Sequence, residues 1–378
     1  MVPIFLFGTL CHQPLLDLVA GAPVAMEPAR LPGYRVAWVA GKSWPMLEAR
    51  AEMAAEGALI APGAEALARL DFYEACFDYT RRPVRVLRGD TEIAAEAWFP
   101  PEQAGTPGED WSLSTWAELW GEIQLLAAGE VMRQIGHAAP RDIGARFGII
   151  RARAEATVRA GRWQRPGLVG AGMTRADVTE HAVEHIHDGF FNTEERRLSH
   201  RRFDGDTQGP IGRSVYRVAD AVTVLPYDPL RDRIMLIEQF RMGPFANGDA
   251  APWLLEPVAG ILDAGETPET TARREAVEEA NLTLGKLHYI GRYYPTPGGV
   301  AQVLYSYLGI ADLPDDVAGI GGHADEAEDI LSHLVSYDLA CRMQEEGDMA
   351  NAPLILSMQY LMLHRDRLRA EAEAAGAG

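Results

Sequence analysis

The chain has 378 residues, more than one hydrophobic core usually serves, so at least two domains are expected. Its 35 Lys and Arg against 54 Asp and Glu leave a formal charge of −19, which repels nucleic-acid backbones and offers them no basic footprint. Three widely spaced cysteines (Cys11, Cys76, Cys341) speak against a disulfide framework or zinc site, and no apolar run approaches the roughly 20 residues of a membrane helix.

Met1–Leu10 is apolar, but no basic stretch precedes it and no small-residue cleavage pattern follows, so a signal peptide is not expected and the cytoplasm is the expected location. From Pro3 to about Phe99, short apolar runs broken by Gly and Pro predict strands: Ile4–Phe7, Tyr34–Val39, Gly57–Ile60 and Val84–Leu87. Pro100–Asp110 is rich in turn formers and predicts a break. Trp111 to about Gly161 is Ala-rich with Trp116, Leu119, Trp120 and Ile123 at helical spacing, and predicts helices that close the first domain. This gives a domain at 1–105, a helical connector at 106–167 and a second domain at 168–378.

In the second domain, Ala221–Arg241 predicts two strands joined by a Pro/Asp turn. Thr267-Pro268 supplies a helix start, with Thr as N-cap and Pro at the first helical position, and that helix should end at Asn281. Met349–His364 predicts a later amphipathic helix. On the helix from Thr267, Glu275, Glu278 and Glu279 stand at i, i+3 and i+4, on one face. Three like charges there repel unless solvent or cations relieve them. Hard oxygen donors clustered this way suit Mg²⁺ or Mn²⁺, a choice the residues leave open. Taken alone, the triplet reads as a solvated acidic helix face, which Glu- and Ala-rich sequences often produce.

The surrounding residues change that balance. Gly260, then Glu266, then Arg274-Glu275-Ala276-Val277-Glu278-Glu279-Ala280 and Leu282 resemble the Nudix box, with Asn281 where that family has a Gly. Asn is the next-best residue for the left-handed backbone such a Gly supplies. From about Asp177 to Leu368 the chain looks like the ADP-ribose pyrophosphatase branch of that family. Gly189-Phe-Phe, Ile237-Glu-Gln-Phe-Arg241, Pro252–Gly260, Pro295-Thr-Pro-Gly-Gly299, Ala324–Asp329 and Asn351-Ala352 carry the likeness. It implies metal ligation by Glu275 and Glu279 with Glu278, the Ala259 carbonyl and Glu328, and a general base at Glu326. It also implies ADP-ribose contacts from Arg213 and Arg241, adenine stacking on Phe190, and a homodimer formed through this domain. Arg274 reads as a structural partner of the box carboxylates. His181, His185 and His187 look like a metal cluster but lie in a strand-like stretch with no fourth ligand at zinc-like spacing.

Phe7-Gly8-Thr9-Leu10, Leu31–Arg35, Ala68–Glu74 and Tyr79–Pro83 resemble the γ-glutamylcyclotransferase-like (AIG2-like) family. The likeness implies that the Gly8, Thr9 and Leu10 loop holds a substrate carboxylate and that Glu74 is a general acid/base. The two resemblances together imply an α+β protein, an N-terminal β-barrel with helices followed by a Nudix α/β/α sandwich on a mixed sheet. The joined pair is similar to bacterial Nudix proteins labelled for tellurite resistance, a phenotype that identifies no reaction. The expected activity is Mg²⁺-dependent hydrolysis of ADP-ribose or a related nucleoside-diphosphate sugar to AMP and ribose 5-phosphate, with no nucleic-acid or membrane partner. Two alternatives stand beside it: γ-glutamyl cyclotransfer by Glu74, and ADP-ribose binding without hydrolysis.

Overall fold

The computed structural model describes residues 2–101, 105–165, 167–322 and 328–376. They form two compact units, residues 1–170 with 187–192, and residues 171–186 with 193–378.

The first unit begins with β1 (Ile4–Leu6), α1 (Gln13–Ala20), β2 (Glu27–Val39), β3 (Pro45–Ile60), α2 (Ala64–Ala75), β4 (Thr80–Arg88), β5 (Thr91–Phe99) and β6 (Pro107–Asp110). The strands run in the order β3-β1-β5-β4-β2-β6, and β2 also pairs β3, which closes a five-stranded barrel with β6 outside the ring. Strand β1 shows why two cores arise. Successive side chains alternate, so Phe5 joins Leu31, Leu59 and Val86 inside the barrel, while Ile4 and Leu6 face a second core.

That second core is built with α3 (Leu113–Trp116), α4 (Glu122–Arg133), α5 (Pro140–Ala145) and α6 (Phe147–Arg162). Trp116, Ile123, Val131, Ile150 and Val158 pack there with Leu15, Leu16 and Leu70 of α1 and α2. Within it lies an ion pair, Arg153 to Glu130, with Arg153 2% and Glu130 6% exposed. Arg153 also donates to the carbonyls of Gly189 (3.2 Å) and Phe190. The break expected at Pro100–Asp110 is partly a strand: Arg35 donates to Asp110 (2.6 Å) and to the Gly108 carbonyl (2.9 Å), fixing β6 along β2.

The second unit continues with β7 (Val178–Asp188), β8 (Asn192–Arg201), β9 (Thr207–Arg217), β10 (Ala221–Asp228), β11 (Arg233–Phe240), α7 (Met242–Ala246), β12 (Trp253–Glu256) and β13 (Val258–Ile261). Then follow α8 (Pro268–Ala280), β14 (Leu287–Tyr293), β15 (Val300–Ala301), β16 (Leu304–Ile310), β17 (Ile320–Gly321), β18 (Ile330–Ser336), α9 (Tyr337–Glu346) and α10 (Ala352–Gly376). Among the described residues, one mixed sheet has the path β14-β16-β10-β11-β18-β17, with β12 on β11, β13 on β10, and β10 parallel to β16. A smaller sheet has the order β15-β9-β8-β7.

Both faces of the central strands are buried, so their sequences read as continuous apolar runs. Val222, Val224, Met235 and Ile237 face α8 and its Ala272, Ala276 and Ala280. Leu225, Tyr227, Ile234 and Leu236 face Leu354, Met358 and Leu361 of α10. A helix on each face of a mixed sheet is the expected α/β/α sandwich. Helix α10 starts at Ala352 and runs to Gly376, beyond the expected His364, because buried Leu368 and an Arg367–Glu371 pair at 2.7 Å extend it through strong helix formers. Among the described residues no helix is long and apolar enough to cross a membrane.

Candidate functional site

Helix α8 starts where its sequence says it should: the Thr267 hydroxyl accepts from the Thr270 amide at 3.2 Å, with Pro268 in the first turn. It stops at Asn281, whose backbone is left-handed (φ 51°, ψ 37°). The small buried residues Ala272, Ala276 and Ala280 let the helix lie close against the sheet, which brings Glu275 and Glu279 onto β13. Glu279 is 2% exposed and accepts from the Ala259 amide at 2.9 Å. A Cβ on Gly260 would lie 1.8 Å from the Glu275 carboxylate oxygen, so only glycine leaves room for that carboxylate.

Arg274 fans out to Glu266 (3.1 Å), Glu275 (2.8 Å) and Glu278 (2.8 Å), the structural pairing expected of it. Burial pushes the Glu275 carboxyl up to about 7 despite the attraction of Arg274. Burial likewise pushes Glu279 up to about 8, offset in part by the Ala259 amide and reinforced by the charges of Glu275 and Glu328. Two desolvated carboxyls, one half-buried and one buried, that hold charge poorly at neutral pH are what a divalent cation would relieve. Among the described residues no three His, Cys, Asp or Glu side chains converge into a ready cage. A hard cation such as Mg²⁺ does not require one, since it binds through one or two carboxylates plus water and substrate phosphates. The donor set fits Mg²⁺ or Mn²⁺.

Arg241, just before α7, is held by Glu256 through Nε (3.0 Å) and Nη2 (2.5 Å). Asn351 donates to the other Glu256 oxygen at 2.9 Å. The Arg241 guanidinium lies near enough to feel the charges of Glu279 and Glu328. Sequence reasoning assigned no role to Glu256 or Asn351. Both stand in phrases that carry the family likeness, but a buried carboxylate shows its task only once its arginine is placed beside it. Strand β17 lies on the end of α8, where a Cβ on Gly321 would be 2.2 Å from the Glu279 carbonyl. A Cβ on Gly322 would be 3.0 Å from that of Glu328, so Glu328 is brought to the same end. Glu326 lies outside the described residues.

Arg213 is exposed on β9, with its guanidinium on the carbonyl of neighbouring Gly212 at 2.7 Å. Phe190 belongs to the first unit, where it is 51% exposed and meets Phe191 edge to face at 4.8 Å. His181 shares a hydrogen bond of 2.8 Å with Ser199, and His185 faces buried Glu194 at 3.5 Å.

In the first unit, Gly8, Thr9, Leu10 and Glu74 line one cavity of about 520 Å³. The Glu74 carboxyl is pushed up to about 8 by burial, with a contribution from Asp71. A carboxyl that changes protonation state near neutrality can donate a proton in its acid form and accept one in its base form.

The NUDIX domain model matches residues 217–357, and the model described as gamma-glutamyl cyclotransferase, AIG2-like, matches residues 4–115. The ADP-ribose pyrophosphatase of Escherichia coli (strain K12) is 38% identical over 195 residues, 52% of this chain and 92% of that protein. The chain belongs to the Nudix family of hydrolases. This Nudix chain is also 31% identical to the ADP-ribose pyrophosphatase of Haemophilus influenzae (strain ATCC 51907 / DSM 11121 / KW20 / Rd) over 199 residues, 52% of it and 91% of that protein. It is 31% identical to the GDP-mannose pyrophosphatase of Enterobacter sp. (strain 638) over 151 residues, 40% of it and 78% of that protein.

Proposed function

We propose that this Nudix hydrolase cleaves the pyrophosphate bond of a nucleoside-diphosphate sugar, with ADP-ribose as substrate and AMP and ribose 5-phosphate as products. The observation that carries the reading is the pair of carboxylates, half-buried Glu275 and buried Glu279, held against Ala259 and Gly260 beside Arg241. Glu275, Glu279, Glu278, Glu328 and the Ala259 carbonyl would hold Mg²⁺, with Mn²⁺ as the alternative. A cation held there would supply charge neutralisation for a diphosphate and ease deprotonation of water. Glu326 takes the proton of the attacking water. Arg241, oriented by Glu256, and Arg213 bind phosphate or ribose oxygens, a task suited to a guanidinium fork.

The test is AMP release from ADP-ribose and GDP-mannose by the full chain, with Mg²⁺ and with excess chelator. Turnover of ADP-ribose that needs the cation and falls by orders of magnitude in Glu279→Gln and Glu326→Gln supports the reading. Tight ADP-ribose binding without AMP in Mg²⁺ would instead establish a sensing module. Sedimentation of the full chain tests the homodimer.

A second reading is favoured by the cavity of the first unit, where Glu74 lies with the Gly8–Leu10 turn. There a γ-glutamyl compound would cyclise: its α-amino nitrogen attacks the γ-carbonyl, the amide C–N bond breaks, and the departing amine takes the proton. The product is 5-oxoproline, and its loss in Glu74→Gln tests the assignment.

A further inference from the structure

The family likeness of the first unit stops at residue 115, but its cavity does not. Arg141 and Gly144 of α5, and Phe147 and Arg151 of α6, line it together with Glu74 of α2. These helices are a tight-fitting wall. A Cβ on Gly144 would lie 1.9 Å from the Cys76 carbonyl, so α5 presses against the end of the helix that carries Glu74. The Phe147 ring meets Phe77 edge to face at 4.7 Å. Arg151 is held with its guanidinium 4.9 Å from the Trp120 ring, and its charge acts on the Tyr73 hydroxyl in the same cavity. Arg141 is exposed, so it lines the cavity where solvent enters.

The charges around the cavity run against the rest of the molecule. The chain carries −19, yet this lining sets two arginines against Asp78 and a Glu74 that burial keeps largely protonated near neutral pH. Aromatic walls from Phe7, Trp44, Trp98 and Trp116 lower the local dielectric and strengthen the field of the two cations. A space of about 520 Å³ suits a ligand of dipeptide to tripeptide size.

We propose that Arg141 and Arg151 are specificity residues of this cavity and select ligands whose departing amine carries a carboxylate. The inference rests on the γ-glutamyl reading above and adds what lies on the far side of the scissile amide. The barrel turn holds one end of the ligand, and the helices read a negative charge at the other. γ-Glutamyl amino acids and peptides with a free C-terminus therefore fit, and their uncharged C-terminal amides fit worse.

The probes are γ-glutamyl-alanine and its C-terminal amide, given to the full chain, with 5-oxoproline release and calorimetric binding as readouts. The acid should be preferred on the order of tenfold in kcat/KM, the value of one charge-assisted contact. In the variant carrying Arg141→Ala and Arg151→Ala, the acid-to-amide ratio should fall close to one. Because Arg151 also packs on Trp120, Arg141→Ala alone and Arg151→Lys are measured beside it, each checked by thermal melting. The exposed Arg141 variant should lower the ratio in a folded protein, and Lys should keep part of the preference. Equal use of acid and amide by the unaltered chain, or a ratio that survives the paired substitution, overturns the inference and leaves the γ-glutamyl reading intact. Failure of both probes to bind or react overturns that reading and the inference with it.

Discussion

Gly260→Ala is a sharp probe of the box geometry. The added Cβ would stand 1.8 Å from Glu275 Oε1, whereas ordinary contact begins at 3.4 Å, so the carboxylate must retreat by about 1.6 Å. The atom in the way is the end of a side chain, and α8 and β13 can keep their places while Glu275 rotates out. Leaving its position also breaks the 2.8 Å contact with Arg274. A displacement beyond 1 Å of a group that positions the reaction lowers turnover by about 100-fold. The expected result is therefore AMP release from ADP-ribose reduced on the order of 100-fold in saturating Mg²⁺, with a Tm within a few degrees of the unaltered chain. Full turnover would refute the placement of Glu275 against Gly260. Collapse of the thermal transition would refute the claim that the side chain alone gives way.

Three further outcomes follow from the same structure. Glu74 rises from an ordinary 4.5 to about 8, so between those values the folded chain holds a proton that the unfolded chain releases. Its contribution is fully present below about pH 4.5 and is lost as pH rises through 8, a change of up to a few kcal/mol. Glu74→Gln should flatten the decline of Tm between pH 5 and 8, and parallel Tm profiles would contradict the assignment. Arg153→Met leaves the Glu130 carboxylate buried without its cation and should cost about 3–5 kcal/mol in urea melts. Adding Glu130→Leu should recover much of that loss. Asn281→Ala places a Cβ-bearing residue without a locally bonding amide at φ 51° and should lower stability by about 1 kcal/mol, whereas Asn281→Gly should not.

The box helix was legible because each of its signals is local. Thr267-Pro268 sets its start, the i, i+3, i+4 carboxylates set its face, and Asn281 sets its end. The barrel strands were legible at their cores but short at their ends. β2 and β3 extend to Glu27–Val39 and Pro45–Ile60 because their long pairing overrides the weak strand preference of Ala and Glu. What stayed hidden was long-range. Glu256 is tied to Arg241 across paired strands and to Asn351 far along the chain, and no window of sequence contains all three. Nor does local patterning reveal that Arg141 and Arg151 line a cavity with Glu74, since only the packing of α5 and α6 beside the end of α2 brings them there.

Gly144 against the Cys76 carbonyl has a practical corollary for anyone dissecting the first unit. A fragment cut where the family likeness ends, at residue 115, would strip the cladding from Leu15, Leu16, Leu70 and Tyr73 and leave an oily flank open to water. It would also unroof the chamber around Glu74, so an inert or insoluble fragment would say nothing about the chemistry of the barrel. A fragment that keeps the chamber closed must therefore run through α6, and transplanting the barrel onto another protein requires transplanting its helices as well.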